Sequence, residues 1–260
     1  MLLPRLLTIS IGLPALIFLI HLGGMTFSMF TIAISLLCLY EYEVLLTLAK
    51  RPVQNFSCVV LGTFLAVNQT LGGSTAFGIF AVIAFILLRE MASSPVRYSL
   101  DRAALTLFGT LWLGLLPPYM ASIRDLTPNG ERLAFLLFIS IWLMDSGAYA
   151  AGHWLGRRKL SALSPKKTWE GAIAGSFCAI GVSYAFHYFY PAELGLVKAL
   201  GTGVIISLAG QLSDLAESMI KRALGAKDSG LLLPGHGGVL DRFDSFLLAA
   251  PAVYYWLIFK

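Results

Sequence analysis

The chain has 260 residues, of which 57% are hydrophobic and only 13% are charged. Because about a quarter of the residues of a soluble domain are charged, this composition excludes an ordinary soluble domain and indicates an integral membrane protein. The net charge of +5 then indicates cationic loops that face anionic lipids and anionic substrates, and it does not indicate a nucleic-acid surface.

Nine apolar segments approach the roughly 20 residues that a membrane-spanning helix needs. They are residues 6–24, 26–47, 56–72, 74–92, 103–123, 133–152, 171–190, 196–213 and 243–259. These runs are too long and too continuous for the strands of a membrane barrel. The sequence therefore predicts an all-α, polytopic membrane protein with about nine transmembrane helices.

The distribution of basic residues predicts the orientation. If the N-terminus is cytoplasmic and the segments alternate, most of the 19 lysines and arginines fall on the cytoplasmic side, as the positive-inside rule requires. We therefore expect an integral protein of the bacterial cytoplasmic (inner) membrane with its active site facing the cytoplasm. Residues 1–102 are predicted to form a lipid-facing scaffold, and residues 103–260 the catalytic region.

The first polar motif lies inside the sixth apolar segment. A carboxylate within a span is costly, so Asp145 is a functional-site hypothesis, with Tyr149 one helical turn later. A structural partner role for Asp145 is the alternative. Gly152 and Gly156 have the spacing that predicts close helix packing, and His153 between them is interpreted as structural.

The second polar motif is SPKKTWEG, residues 164–171. Pro165 sets a turn, Lys166 and Lys167 follow, and a helix is predicted to begin near Gly171. The N–H groups and the dipole at a helix start attract phosphate, and the two ammonium groups add positive charge. The alternative interpretation is a lysine pair at the membrane interface that binds lipid headgroups.

The third and largest polar motif runs from the end of the eighth segment to the start of the ninth. If the eighth helix continues past the membrane, one of its faces presents Asp214, Glu217, Ser218 and Lys221. Asp241 and Asp244 lie at the start of the ninth helix, with the spacing i, i+3. Because consecutive spans are antiparallel, we expect carboxylates from the two helices to meet.

This third motif suits phosphate chemistry. Carboxylate oxygens are ligands that Mg²⁺ prefers, and protein-bound Mg²⁺ often contacts substrate phosphates. Glycines permit positive φ and close backbone approach, and basic side chains neutralise phosphate oxygens. The glycines are Gly235, Gly237 and Gly238, and the basic residues are Lys221, Arg222, Lys227 and Arg242. The motif predicts phosphoryl or nucleotidyl transfer at the membrane surface. The sequence has no P-loop, G-x-S-x-G or H-E-x-x-H motif, which argues against the enzyme classes that use them.

The three motifs together resemble one enzyme family. The segment from SMIKR (218–222) through KD (227–228) and HGG (236–238) to DRFD (241–244) resembles the phosphatidate cytidylyltransferases, also called CDP-diacylglycerol synthases. The blocks at 145–156 and 164–171 are similar to that family as well. These blocks cover roughly the C-terminal half of the chain. Ser213 is a small departure, because the family has glycine before Asp214.

The resemblance implies that CTP and phosphatidic acid give CDP-diacylglycerol and pyrophosphate with Mg²⁺. It also implies a homodimer, and it suggests a second cation such as K⁺ and partners that include CTP, phosphatidic acid and membrane lipids. The expected catalytic residues are Asp214, Asp241, Lys221 and Lys167. The expected metal ligands are Asp214 and Asp241, followed by Asp244 and Asp228. The expected substrate-binding residues are Lys166, Ser218, Arg222, Lys227, His236, Gly237, Gly238, Arg242 and Asp145.

Three alternatives remain open at this point. The chain could act on another lipid phosphate, or it could be a non-catalytic membrane scaffold. An ion-coupled transporter is the third alternative. It would carry polar residues near the middle of the membrane in both halves, whereas the polar residues here cluster at one predicted face of one half.

Overall fold

A computed structural model describes residues 3–54, 56–93, 96–161, 163–190, 192–230, 232 and 237–259, with the backbone alone for residues 3–9. The described residues form ten α-helices. They are α1 Leu3–Leu22, α2 Gly24–Leu48, α3 Ser57–Thr70, α4 Thr75–Met91, α5 Ser99–Gly109, α6 Tyr119–Arg124, α7 Gly130–Leu155, α8 Trp169–Phe189, α9 Leu196–Ala223 and α10 Leu240–Ile258. A 3₁₀ turn, Val96–Tyr98, precedes α5, and a π-helical segment, Thr110–Leu115, follows it.

The all-α prediction is confirmed. No strand forms in the described part of the chain, where Lys159 and Thr168 pair in an isolated antiparallel bridge. Helices satisfy their backbone hydrogen bonds internally, which an apolar chain needs when it lies in lipid.

Five helical segments of the described chain are long and apolar enough to cross a membrane. They are Gly24–Leu48, Val96–Arg124, Gly130–Leu155, Trp169–Phe189 and Leu196–Ala223. Other predicted spans correspond to shorter helices. For example, the 14 residues of α3 extend about 21 Å at 1.5 Å per residue, less than the roughly 30 Å hydrocarbon core. The total of nine spans and the cytoplasmic N-terminus therefore stay predictions.

The chain divides into two compact units. Unit one contains Met1–Ala121 and Ala223–Phe243, and unit two contains Ser122–Arg222 and Asp244–Lys260. Unit one thus combines the N-terminal helices with most of the third polar motif's loop. These compact units do not test the predicted division at residue 102 between a scaffold and a catalytic region, which stays a prediction.

In unit one, the helices α3 and α4 share a buried apolar core. Leu65 and Val82 are fully buried at its centre, and Leu61 and Ile86 extend it. Side chains of α5 and of the π-helical segment pack against this core, namely Ala103, Leu107, Leu111 and Leu115. Burial of these side chains fixes α3 and α4 against the segment that leads into unit two.

In unit two, glycines bring α7 and α8 into close contact. A Cβ at Gly171 would lie 2.6 Å from the carbonyl oxygen of Ala148. A Cβ at Gly152 would lie 3.1 Å from Thr168 Oγ1 and 3.7 Å from Gly171 Cα. The prediction that Gly152 takes part in close helix packing is therefore confirmed. Small residues allow membrane helices to approach at the backbone in this way.

We predict that Gly175→Ala destabilises the protein by about 1–3 kcal/mol, because the added methyl overpacks the interface between α7 and α8. A Cβ at Gly175 would lie 2.8 Å from the Met144 carbonyl oxygen. Gly181→Ala in the same helix is the matched control, since nothing lies within 4 Å of a Cβ at Gly181, and alanine favours helix by up to about 1 kcal/mol. Thermal unfolding of both purified variants in detergent measures the difference. Equal melting temperatures would contradict the close packing.

The helices α9 and α10 are antiparallel and tied at two levels within unit two. Lys198 Nζ donates a hydrogen bond to the carbonyl of Leu257 (3.0 Å). Towards the other end, the Ser213 hydroxyl donates to the carbonyl of Asp244 and accepts from the N–H of Leu248 (3.3 Å). A glycine at position 213 could not make these two bonds. The helix α9 continues to Ala223, which meets the condition under which the polar residues at its end share one face.

Candidate functional site

A cavity of about 580 Å³ lies in unit two, between α7, α8 and α9. It brings together residues from all three polar motifs, which are far apart in the sequence. Its polar lining consists of Asp145, Tyr149, His153, Ser164, Lys166, Lys167, Thr168, Gln211 and Asp214. Because acids, ammonium groups and amides converge on one cavity, this is the candidate active site.

Backbone hydrogen bonds hold the lysine segment in place at the cavity. The N–H of Leu160 donates to the carbonyl of Lys167 (2.8 Å), and the N–H of Lys167 donates to the carbonyl of Ser164 (3.0 Å). These bonds bring the backbones of Leu160, Ser164 and Lys167 together. The Lys166 and Lys167 side chains are thereby presented to the cavity on a fixed backbone.

The helix α8 begins at Trp169, two residues before the predicted start. Thr168 caps it, because its hydroxyl accepts from the N–H of Gly171 (3.2 Å). The carboxylate of Glu170 accepts from the N–H groups of Arg157 (3.1 Å) and Arg158 (3.3 Å). These bonds join the start of α8 to the loop that follows α7, so two walls of the cavity are held together.

An ion pair joins the second and third motifs. Lys167 Nζ contacts Asp214 Oδ2, and both side chains are 28% exposed. The ammonium of Lys167 therefore compensates the negative charge of Asp214 in this structure. Asp145 on α7 lines the same cavity. The structure thus brings together Asp145, Lys166, Lys167 and Asp214 among the predicted site residues.

Gln211 is a lining residue that the sequence analysis missed. Its amide donates to the carbonyl of Ala172 (3.2 Å) and to the hydroxyl of Ser176 (3.1 Å), so it joins α9 to α8. The available signal was its position three residues before Asp214, on the same helical face. His153, interpreted as structural, also lines the cavity, where its ring stacks on that of Tyr149 at an interplanar angle of 8°.

An acidic cluster lies where α9 and α10 meet in unit two. Asp214, Glu217 and Asp244 each offer a carboxylate oxygen, and these oxygens lie within 4.8 Å of one another. Glu217 is 1% exposed, and Lys221 Nζ lies 2.7 Å from its Oε2. The expected meeting of carboxylates from the two helices is confirmed for Asp214 and Asp244, and Glu217 joins them.

Asp241 belongs to unit one, where it binds the loop between α9 and α10. We call residues 224–239 the polar loop. Asp241 Oδ2 accepts from the N–H groups of Ser229 (2.9 Å) and Gly238 (2.9 Å). Gly237 beside them has φ +83°, which glycine adopts without strain. The prediction that a glycine in this motif adopts a positive φ is thus confirmed at Gly237.

A buried carboxylate of the N-terminal half also binds the polar loop in unit one. Glu41 on α2 is 2% exposed. It accepts hydrogen bonds from the hydroxyl of Ser229 (2.9 Å) and from the N–H groups of Val239 (2.8 Å) and Leu240 (2.9 Å). Glu41 lies within residues 1–102, which are predicted to form a scaffold, and it is not among the predicted site residues, although a carboxylate inside an apolar segment is the signal that singles out Asp145.

The remaining predicted residues lie near the end of α9, in the polar loop and at the start of α10. Ser218 is half-buried on α9. Exposed side chains are those of Arg222, Lys227, Asp228 and Arg242. His236, with Gly235, lies outside the described residues, so the structure does not bear on its predicted role.

Comparison with known proteins gives the family. The chain matches the sequence profile of the Cytidylyltransferase family over residues 3–259, so the similarity includes the N-terminal half as well as the C-terminal motifs. It is similar to proteins named phosphatidate cytidylyltransferase from several bacteria. It is 41% identical to the Staphylococcus aureus (strain COL) protein over 177 residues, which cover 68% of this chain and 67% of the relative.

Two further relatives match along almost the whole length. The Staphylococcus haemolyticus protein is 33% identical over 258 residues, covering 98% of each chain. The Synechocystis sp. protein is 31% identical over 282 residues, covering 98% of this chain and 96% of the relative. Both carry the name phosphatidate cytidylyltransferase. Since the profile and these relatives span the helices that form the cavity, the chain belongs to the cytidylyltransferase family.

Proposed function

We propose that this chain transfers CMP from CTP to phosphatidic acid, giving CDP-diacylglycerol and pyrophosphate. The observation that carries the proposal is the cavity in which Lys166, Lys167 and Asp214 meet, in a chain whose relatives are named for this reaction. Enzymes of this kind must bind two anionic substrates at once. A cavity with ammonium groups on one wall and carboxylates on another suits that requirement.

The reaction is proposed to be a direct in-line displacement. A phosphate oxygen of phosphatidic acid attacks the α-phosphorus of CTP and forms the new P–O bond. The bond from the α-phosphorus to the bridging oxygen breaks, and pyrophosphate leaves with its electron pair. The lipid phosphate is already ionised at neutral pH, so the chain has to supply no general base. Catalysis then depends on positioning and on screening the repulsion between the two anions.

The cavity residues have distinct proposed roles. Lys167 neutralises Asp214 in the structure, and we propose that it exchanges Asp214 for a phosphate oxygen when substrate binds. Lys166, which is exposed at the cavity, is proposed to hold a second phosphate. Gln211 fixes α9 against α8, and so it keeps Asp214 in register with the lysines.

The acidic residues fit a divalent cation. Carboxylate oxygens within 4.8 Å of one another are the hard ligands that suit Mg²⁺. When bound, Mg²⁺ would neutralise charge on the triphosphate and on the leaving pyrophosphate. We propose Asp214 as a ligand together with Asp244, and Glu217 as an addition from the structure. Asp241, which belongs to unit one, stays a predicted ligand. Asp228 is exposed in the polar loop and is the weakest of the proposed ligands. A second cation such as K⁺ stays a proposal.

The membrane context is also part of the proposal. Phosphatidic acid keeps its acyl chains in lipid while CTP arrives from water, which explains why the enzyme is built from apolar helices. We propose that the site faces the cytoplasm at the inner membrane, that residues 103–260 carry most of the catalytic groups, and that the chain forms a homodimer.

Reconstitution of the purified protein tests the function. Vesicles that contain phosphatidic acid, CTP and Mg²⁺ should yield CDP-diacylglycerol detected by mass spectrometry, and omission of any one of the three should abolish it. A parallel reaction with a different lipid phosphate tests the alternative substrate class. Product from that lipid but none from phosphatidic acid would contradict the proposal.

A further inference from the structure

Glu41 is a buried carboxylate that the reaction scheme does not use. It lies on α2, in the half of the chain predicted to form a scaffold. Its hydrogen bonds to the described residues reach across to the polar loop and to the start of α10. Burying a carboxylate without compensation is costly. The bonds that compensate Glu41 must therefore persist in the folded protein.

The partners of Glu41 are neutral in the described part of the chain. Two are the N–H groups of Val239 and Leu240, at the start of the 19-residue helix α10. The first N–H groups of a helix have no partner within the helix, and the helix dipole is positive there. Glu41 thus caps α10 from another helix, and this contact fixes where α10 begins.

A second chain of contacts leads from Glu41 to Asp241. The hydroxyl of Ser229 donates to Glu41 Oε2, and the N–H of Ser229 donates to Asp241 Oδ2. The N–H of Asp241 in turn donates to the Ser229 hydroxyl (3.3 Å). One residue of the polar loop therefore joins the buried Glu41 carboxylate to the predicted metal ligand.

Glycines make this arrangement possible. A Cβ at Gly230 would lie 2.8 Å from Glu41 Oε1, and a Cβ at Gly238 would overlap the Ser229 hydroxyl and the Glu41 carboxylate. Any larger residue at Gly238 would displace the carboxylate. The close approach of the loop backbone at Gly238 thus serves the contact with Glu41.

We infer that Glu41 is a positioning residue, which anchors the polar loop and the start of α10 so that the Asp241 carboxylate keeps the orientation that catalysis requires. Glu41 acts through Ser229 and through the first N–H groups of α10. The inference rests on the proposed function, because Asp241 is a ligand only if the enzyme uses a divalent cation. It gives the N-terminal half of the chain a defined part in the reaction.

Two measurements on reconstituted protein test the inference, and one of them does not depend on activity. In Glu41→Ala, hydrogen exchange at the N–H groups of Val239 and Leu240 should accelerate about tenfold or more, because bonds to a charged acceptor are lost. The ratio of kcat to the half-saturating Mg²⁺ concentration should fall about tenfold to hundredfold, as is typical when the partner of a metal ligand is removed. Glu41→Asp, which keeps the charge, should fall between Glu41→Ala and the wild type.

Glu43→Gln is the matched control. Glu43 lies two residues away on α2, and its carboxylate accepts from the N–H of Phe56 (3.2 Å). This variant should leave both measurements within about twofold of wild type, as expected for a site away from the polar loop. If Glu43→Gln slowed the reaction as much as Glu41→Ala, the assignment to Glu41 would be wrong.

The possible outcomes distinguish a failure of the role inferred for Glu41 from a failure of the proposed function. An inactive wild-type protein contradicts the proposed function, while the exchange data still report the contact. Faster exchange in Glu41→Ala with unchanged Mg²⁺-dependent kinetics per folded enzyme assigns Glu41 to stability alone and overturns the inference. Glu41→Gln, similar in volume to glutamate, replaces Glu41→Ala if the latter does not fold. Failure of all three variants to fold would overturn the inference as well.

Discussion

Asp214→Asn is expected to lower the rate of CDP-diacylglycerol formation by about a thousandfold, the scale on which loss of one preorganised charged or polar group acts. Asp214 contacts Lys167 in the cavity and lies in the acidic cluster with Glu217 and Asp244. It is thus the residue shared by the two parts of the candidate site. Asparagine keeps the volume and removes the charge, so the loss reports chemistry and not packing.

The measurement is the initial rate of the purified variant at saturating CTP, Mg²⁺ and phosphatidic acid. Asp101→Asn, an exposed acid on α5, is the control and should retain the wild-type rate. Asp241→Asn is expected to show a loss comparable to that of Asp214→Asn. Near wild-type turnover in Asp214→Asn, with Mg²⁺ present, would remove Asp214 from the mechanism.

Lys167→Met is expected to lower kcat/KM for CTP by about a hundredfold, because it removes a partly buried ammonium from the phosphate site. It also leaves Asp214 without the positive charge that Lys167 provides. Lys166→Met is the matched comparison, since Lys166 is the neighbouring residue on the same cavity but is exposed. Lys166→Met should lower kcat/KM for CTP by about tenfold, because a solvent-screened charge contributes less.

Steady-state kinetics with varied CTP measures both lysine variants. Lys167 is already among the expected catalytic residues and Lys166 among the expected substrate-binding residues, and the ion pair of Lys167 with Asp214 gives a physical reason for the larger effect. A larger loss in Lys166→Met than in Lys167→Met would contradict the proposed exchange of Asp214 for a phosphate oxygen.

The chemistry of the site could be predicted because its residues stand out against an apolar background. A carboxylate inside a span, as at Asp145, is costly unless it serves a purpose. The face formed by Asp214, Glu217 and Lys221 follows from helical periodicity alone. The helix α9 continues to the end of that face, and the predicted meeting of Asp214 and Asp244 is confirmed.

The orientation of each carboxylate could not be predicted, because it depends on partners distant in the sequence. Asp241 and Asp244 have equivalent positions, three residues apart at the start of α10. The structure turns Asp241 towards the N–H groups of the polar loop, while Asp244 joins Asp214 and Glu217. Spacing along one helix does not specify such contacts.

The sequence motifs also could not predict a role for the N-terminal half. Glu41 is separated from its partner Ser229 by 188 residues, and no local pattern connects them. Composition likewise predicts apolar helices well, but it does not fix how many of them cross the membrane. In the described chain, five helical segments have the required length and hydropathy.

The fate of the CTP phosphates tests the central claim most directly. Purified protein in phosphatidic acid vesicles is supplied with Mg²⁺ and with CTP labelled at either the α- or the γ-phosphate. If CMP is transferred by attack at the α-phosphorus, the α-label becomes lipid-soluble and the γ-label is recovered in water-soluble pyrophosphate. Appearance of the γ-label in lipid, or of neither label, would contradict the account.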